Sequence, residues 1–189
     1  MKFVHKTVLI RETISLLNIK KEGIYVDCTA GGGGLSLKIA SSLSNKGRLV
    51  CIDRDPDAIS VCKEKLGSFD NVNIVEDNFS NISNIVHNLG IDKVDGIILD
   101  LGVSSYQLDS AERGFSYKFE APLDMRMSKA GKSAYDVVNF MKYEDLKHII
   151  STYGEEKFSS RISKLIVKKR EKKLIETTTE LVEIIKEAI

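Results

Sequence analysis

Tryptophan is absent from this 189-residue chain, and prolines number only two and cysteines three. No apolar run approaches the roughly 20 residues that a bilayer-spanning helix needs. The opening segment from Met1 to Lys6 has neither an apolar signal core nor a small-residue cleavage site. The reading is a cytoplasmic protein with no membrane partner. Cys28, Cys51 and Cys62 are odd in number and form no C-x-x-C pair, so they are expected to be reduced, buried thiols. His5, His87 and His148 stand at no ligand spacing, and no metal site is expected. Charge of a dominant sign is also lacking: 28 basic against 27 acidic residues leave a net charge of +1. That excludes a protein that grips nucleic acid over its whole surface.

The balance conceals an asymmetry. Residues 1–110 carry 12 basic and 14 acidic groups, whereas residues 111–189 carry 16 and 13. Seven of the latter cations fall between Arg161 and Lys173 against a single acid, Glu171.

The apolar pattern begins with helical spacing over Thr7–Leu17 and then changes period. A short strand at Ile24–Val26 ends at Asp27, the Gly31–Gly34 run follows, and Leu35 to Leu43 reads as a helix. Strands at Arg48–Ile52, Val72–Val75 and Val94–Leu99 alternate with helices at Pro56–Leu66 and Ile82–Leu89. Such alternation implies an α/β fold with a parallel, doubly wound sheet. The Gly102–Ala130 stretch has little periodicity and the length of a functional loop. Beyond it, helical segments near Tyr135–Thr152, Lys157–Lys173 and Thr177–Ile189 suggest a small helical subdomain. The organisation expected is a Rossmann-like domain over residues 1–130 and a helical one over 131–189.

A glycine turn at the carboxyl end of the first strand is where nucleotide-type ligands meet open α/β sheets. The dinucleotide fingerprint G-x-G-x-x-G fits Gly31 and Gly33, but its third glycine is Ser36 here. Asp53, at the end of the second strand, is placed to accept both hydroxyls of an adenosine ribose. The competing role, capping the helix that opens at Pro56, suits Asp55 better. Phe79 follows the third strand and either flanks an adenine ring or packs in the core. Asp100 ends the fourth strand, so that three strands end in aspartate: Asp27, Asp53 and Asp100. That constellation marks an active site.

These residues together resemble the bacterial 16S ribosomal RNA cytosine-N4 methyltransferases, the MraW family. The resemblance rests on His5-Lys-Thr-Val-Leu9, the Asp27–Ser36 loop, and the Asp53-Arg-Asp-Pro-Asp-Ala-Ile59 segment. Its most specific part is DGIILDLGVSSYQLDSAERGFSY from Asp95, followed by PLDMRM at Pro122–Met127. Tyr153-Gly-Glu-Glu-Lys-Phe158 and Arg161-Ile162 continue it over nearly the whole chain. It implies a class I S-adenosylmethionine-dependent methyltransferase fold, acting on the N4 amine of a cytidine in the decoding region of the small-subunit RNA. By the same resemblance, cofactor contacts fall on Gly33, Gly34, Leu35, Asp53, Phe79, Asp100 and Gln107. The family has histidine where Leu35 stands, leaving that contact to backbone. Family members also continue past Ile189, with a further S-F-H-S-L-E-D-R segment, so the sheet is expected to be incomplete and the chain a truncated form.

Cytosine's exocyclic amine is a poor nucleophile because its lone pair is delocalised into the ring. Positioning it against the methyl donor is the main task. Asp100 is the candidate catalytic residue, either accepting hydrogen bonds from that amine or holding the cofactor's methionine ammonium. Tyr106 either stacks on the base or packs in its loop. Arg113, Arg126 and the Arg161–Lys173 cluster are candidate phosphate contacts, with a solvated helix face as the alternative for the cluster. Two other readings stand beside this one: a non-catalytic cofactor- or RNA-binding fragment, and a nicotinamide-dependent oxidoreductase. An exposed sheet edge offers a route to a homodimer.

Overall fold

The computed structural model describes residues 9–189. His5 and the start of the helix expected from Thr7 lie outside them. The chain divides into two compact units, Met1–Tyr106 and Gln107–Ile189.

The first unit is built on four parallel strands in the order β3-β2-β1-β4: β1 Ile24–Asp27, β2 Arg48–Asp53, β3 Val72–Glu76 and β4 Gly96–Ile98. α1 spans Ile10–Leu17 and stops where Asn18 turns left-handed at φ 46°. α2 (Gly34–Ser42) joins β1 to β2, α3 (Pro56–Leu66) joins β2 to β3, and α4 (Ile82–Asn88) precedes β4. Strand residues bury alternately to two faces. Tyr25, Leu49 and Cys51 pack with Leu35, Ile39, Ala40, Cys62 and Leu66 from α2 and α3. Val26, Val50 and Ile52 pack with Ile85 of α4 and with Ile91. Helices thus cover both faces, and the winding reverses between β1 and β4. An open α/β sheet forms its ligand crevice at such a reversal, outside the carboxyl ends of the strands. The order matches one half of the Rossmann arrangement. Beyond the last pairing of β4, Leu99 and Leu101 are exposed.

Local chemistry accounts for the boundaries. Pro56 occupies the first turn of α3, where its missing N–H is not needed, and the Asp55 side chain caps that helix by accepting from the Asp57 amide. The cap reading of this segment thus belongs to Asp55. All three cysteines are buried free thiols. Burial pushes the Cys28 thiol up to about 11, and contact with Cys62 together with burial pushes Cys51 up as well.

The second unit opens with α5 (Ser105–Asp109), which straddles the division, and a 3-10 turn at Ala111–Arg113, then four helices: α6 Ala134–Phe140, α7 Tyr143–Thr152, α8 Ser159–Arg170 and α9 Thr178–Ala188. Their apolar faces enclose Leu123, Val138, Leu146, Ile162, Ile166, Ile175 and Ile184. Capping boxes start two of them, Ser133 with Asp136 and Thr177 with Glu180. The single helix expected over Tyr135–Thr152 is instead two, broken at Met141 and Lys142, both extended. The break is stabilised from a distance: the Arg170 guanidinium donates to the carbonyls of Val138 and Met141 at 2.7 and 2.5 Å. Among the described residues, no helix is long and apolar enough to cross a membrane.

Candidate functional site

The glycine loop is held at both ends and in the middle. Cys28 N–H extends the sheet by donating to Ile98 carbonyl at 2.9 Å, and Ala30 N–H donates to Ile52 carbonyl at 3.0 Å. Gly33 N–H closes a tight turn on Ala30 carbonyl at 2.8 Å. Gly33 needs to be glycine twice over. Its φ is 72°, and a Cβ there would lie 3.2 Å from the Cys62 sulfur beneath the loop. The Lys65 ammonium, reaching up from α3, donates to Gly32 carbonyl at 2.6 Å. Gly34 then opens α2, and the Leu35 side chain turns into the core, so what Leu35 presents to the loop side is backbone.

Asp27 lies beneath this loop and is almost fully buried, at 1% exposure. One carboxylate oxygen accepts from the Ser36 hydroxyl at 2.5 Å, the other from the Thr29 amide at 3.2 Å. Burial nevertheless pushes its pKa up to about 6, with the nearby charges of Asp53 and Asp100 adding to the shift and the two hydrogen bonds opposing it. Asp27 is thus near enough to Asp53, at the end of β2, and to Asp100, beyond β4, to feel both charges.

Asp53 ends β2 facing the loop. One oxygen accepts from Gly31 N–H at 2.7 Å and the other from Asp55 N–H at 2.9 Å. Its pKa is raised by burial, and these two amide hydrogen bonds oppose the rise. A carboxylate offers about four lone-pair sites, more than its backbone amide donors occupy.

At the end of β3, Asp77 N–H donates to Asp53 carbonyl at 3.0 Å, and Asn78 caps the turn Phe79–Asn81 through the Ser80 amide. Phe79 is 37% exposed, so its ring is not core. Asp100, past the end of β4, is exposed, and its backbone N–H donates to the Thr29 hydroxyl oxygen at 2.8 Å. Gly33, Gly34, Leu35, Asp53, Phe79 and Asp100 therefore all belong to one face of one unit, the carboxyl edge of its sheet, and Tyr106 lies half-buried in α5.

Gln107 belongs to the second unit and is buried there. So is Arg113, at 4% exposure, whose guanidinium donates to the carbonyls of Arg126 and Met127 at 3.1 and 2.9 Å and lies over the Phe115 ring. Arg126 forms a forked pair with Asp124, its shortest contact 2.6 Å. Both arginines brace the loop that carries them. Of the cationic cluster, Arg170 holds the α6–α7 break, Lys169 pairs with Glu187 and Lys173 with Glu180, while Arg161, Lys164, Lys168 and Lys172 are exposed.

Sequence reasoning missed Thr29, Lys65 and the use of Ser36. The Ser36 position was visible as a departure from a glycine pattern; the other two depend on long-range approach that no spacing signals. Among the described residues, no group of His, Cys, Asp and Glu is arranged to hold a metal ion.

Residues 2–189 match the profile of the MraW methylase family. The chain belongs to that family. It is 58% identical over 190 aligned positions to the ribosomal RNA small subunit methyltransferase H of Clostridium botulinum strain Kyoto (type A2), covering 100% of this chain and 62% of that one. The protein of the same name from the Okra strain (type B1) is 57% identical with the same coverage. This MraW-family chain thus spans 62% of the length of the curated relatives it matches. An rRNA methylase from Streptococcus thermophilus aligns with a TM-score of 0.44 at 21% identity, over 52% of this chain and 58% of that one.

Proposed function

We propose that this chain carries the S-adenosylmethionine site of an MraW-family methyltransferase that methylates the N4 amine of a cytidine in the decoding region of 16S ribosomal RNA, in the cytoplasm. The observation that carries the reading is Asp53: a carboxylate at the second strand end, oriented by Gly31 N–H and Asp55 N–H beside a glycine turn. The residues present fit the group. Asp53 is an acceptor for two vicinal hydroxyls, Phe79 is an exposed ring past the neighbouring strand, and Asp100 is an exposed carboxylate past β4.

In this reading Asp53 takes the ribose, Phe79 lies against the adenine, and the backbone of Gly33, Gly34 and Leu35 lines the loop. Gln107 is a further contact that family membership suggests. When bound, S-adenosylmethionine supplies an electrophilic methyl group on a sulfonium. Asp100 does one of two jobs: it holds a cationic amino group, or it accepts N–H from the cytosine amine and offsets the positive charge that develops on nitrogen. Tyr106 is the candidate stacking partner for the base. The exposed cations of α8, with Arg113 and Arg126 shaping the preceding loop, are the candidate phosphate contacts.

Ser36 speaks against nicotinamide binding. Where the dinucleotide fingerprint wants a bare backbone for close packing of helix on strand, this chain places a hydroxyl that fastens α2 to Asp27. A second reading is binding of cofactor or RNA without turnover.

Transfer of labelled methyl from S-adenosylmethionine to small ribosomal subunits, followed by digestion to nucleosides, tests the proposal. The expected product is N4-methylcytidine, lost in Asp100→Ala. Label in another nucleoside rejects the substrate assignment, and cofactor binding without transfer selects the second reading.

A further inference from the structure

We propose that Thr29 is a positioning residue: its hydroxyl fixes the chain at Asp100 and thereby aims the Asp100 carboxylate at the methionine end of the cofactor.

β4 is short. Its register with β1 ends at the Asp27–Ile98 pair. Beyond that pair the two strand ends are tied by two bonds, Cys28 N–H to Ile98 carbonyl at 2.9 Å and Asp100 N–H to the Thr29 hydroxyl oxygen at 2.8 Å. The second replaces a ladder bond with a side-chain bond. It reaches 71 residues along the sequence, from the glycine loop to the segment that carries Asp100. Leu99, Asp100 and Leu101 are exposed and lie beyond the ladder, and the Thr29 hydroxyl holds the Asp100 amide itself.

Thr29 is itself fixed. Its amide donates to one oxygen of Asp27, and the other oxygen of Asp27 accepts from Ser36 in the first turn of α2. A rigid chain therefore runs from α2 through Asp27 and Thr29 to the Asp100 backbone. Asp53, by contrast, is oriented by Gly31 and Asp55 and takes no part in it. The two ends of the cleft are thus positioned by separate hydrogen-bond sets. The ribose end depends on Asp53, and the end at the switch between β1 and β4 depends on Thr29. A misplacement of about 1 Å at a positioned group costs on the order of a hundredfold in rate. Threonine supplies this bond with one rotatable side-chain torsion and a branched, stiff Cβ.

The inference rests on the cofactor reading above, and the test separates the two. Thr29→Val keeps the shape and removes the oxygen; Thr29→Ser keeps the oxygen. Two ligands divide the cleft: S-adenosylhomocysteine carries the amino-acid end, and 5′-methylthioadenosine lacks it. For Thr29→Val, the expectation is about tenfold weaker binding of S-adenosylhomocysteine, or about 1.4 kcal/mol, unchanged binding of 5′-methylthioadenosine, and recovery in Thr29→Ser. Hydrogen exchange at the Asp100 amide, measured on the ligand-free chain, is expected to accelerate in Thr29→Val and not in Thr29→Ser. Equal weakening of both ligands, or unchanged exchange at Asp100, overturns the positioning role. A wild-type chain that binds neither ligand rejects the cofactor reading, while the exchange at Asp100 still decides whether Thr29 anchors it.

Discussion

The Ser36 hydroxyl donates to the Asp27 carboxylate over 2.5 Å, joining the first turn of α2 to the last residue of β1. Both side chains are buried, Ser36 completely. The bond explains why serine stands where a dinucleotide site has glycine: the chain uses this position to satisfy a buried carboxylate rather than to clear space.

Asp27 should leave a pH signature. Its folded pKa is raised from 3.8 to about 6, chiefly by burial. The folded chain therefore holds this proton more tightly than the unfolded one. Its stabilising contribution is complete below pH 3.8 and is lost as pH rises through about 6, amounting to roughly 3 kcal/mol at 1.36 kcal/mol per unit. Asp27→Asn keeps an acceptor for Ser36 and cannot ionise. Urea unfolding between about pH 4 and pH 6 should show a flatter loss of stability in the variant; parallel profiles would contradict the assignment.

Gly33→Ala and Gly90→Ala separate strain from collision. Both glycines have positive φ, 72° and 67°, but a Cβ at Gly33 meets the Cys62 sulfur at 3.2 Å, whereas at Gly90 nothing lies within 4 Å. Each substitution should cost about 1 kcal/mol for a left-handed alanine. Gly33→Ala should cost more than Gly90→Ala, and Cys62→Ala should recover part of the difference. Equal costs, with no coupling to Cys62, would be the contrary result.

Asp55 and Asp53 stand two residues apart with different work. Asp55 caps α3, so Asp55→Ala should lower stability by about 1 kcal/mol, read as a drop in the denaturation midpoint. S-adenosylmethionine affinity should change much less than in Asp53→Ala. A larger affinity loss in Asp55→Ala would reverse the two assignments.

The cations of α8 are also divisible. Arg170→Ala leaves two backbone carbonyls at the α6–α7 break without their donor and should destabilise the second unit by about 1 to 3 kcal/mol. Lys164→Ala and Lys168→Ala, at exposed positions, should leave thermal unfolding unchanged. If these lysines meet RNA phosphates, each change reduces the salt dependence of RNA binding by about 0.7 to 0.9 in log–log slope. An unaltered slope would return them to a solvated face.

The alternation of strands and helices made most of the first unit legible, because buried parallel strands read as short apolar runs and Asp55-Pro56 announces a helix start. The placement of Asp53 at the end of β2 and of the glycine turn after β1 was legible for the same reason: both are local to strand ends. The break between α6 and α7 was not. No glycine or proline marks Met141-Lys142; an arginine about 30 residues later supplies the donors that make it tolerable. Arg113 and Arg126 read as candidate phosphate contacts; in the fold one is buried on carbonyls and the other is paired with Asp124, and neither partner follows from spacing. Thr29 carried no signal for a related reason, since its partner lies 71 residues away.

Calorimetric titration of the chain with S-adenosylmethionine, with NAD as control and Asp53→Ala as variant, tests the central claim most directly. The account predicts saturable binding of S-adenosylmethionine alone, weakened at least tenfold, or about 1.4 kcal/mol, in Asp53→Ala with the fold intact. Binding of NAD in its place, or S-adenosylmethionine binding indifferent to Asp53, would contradict it.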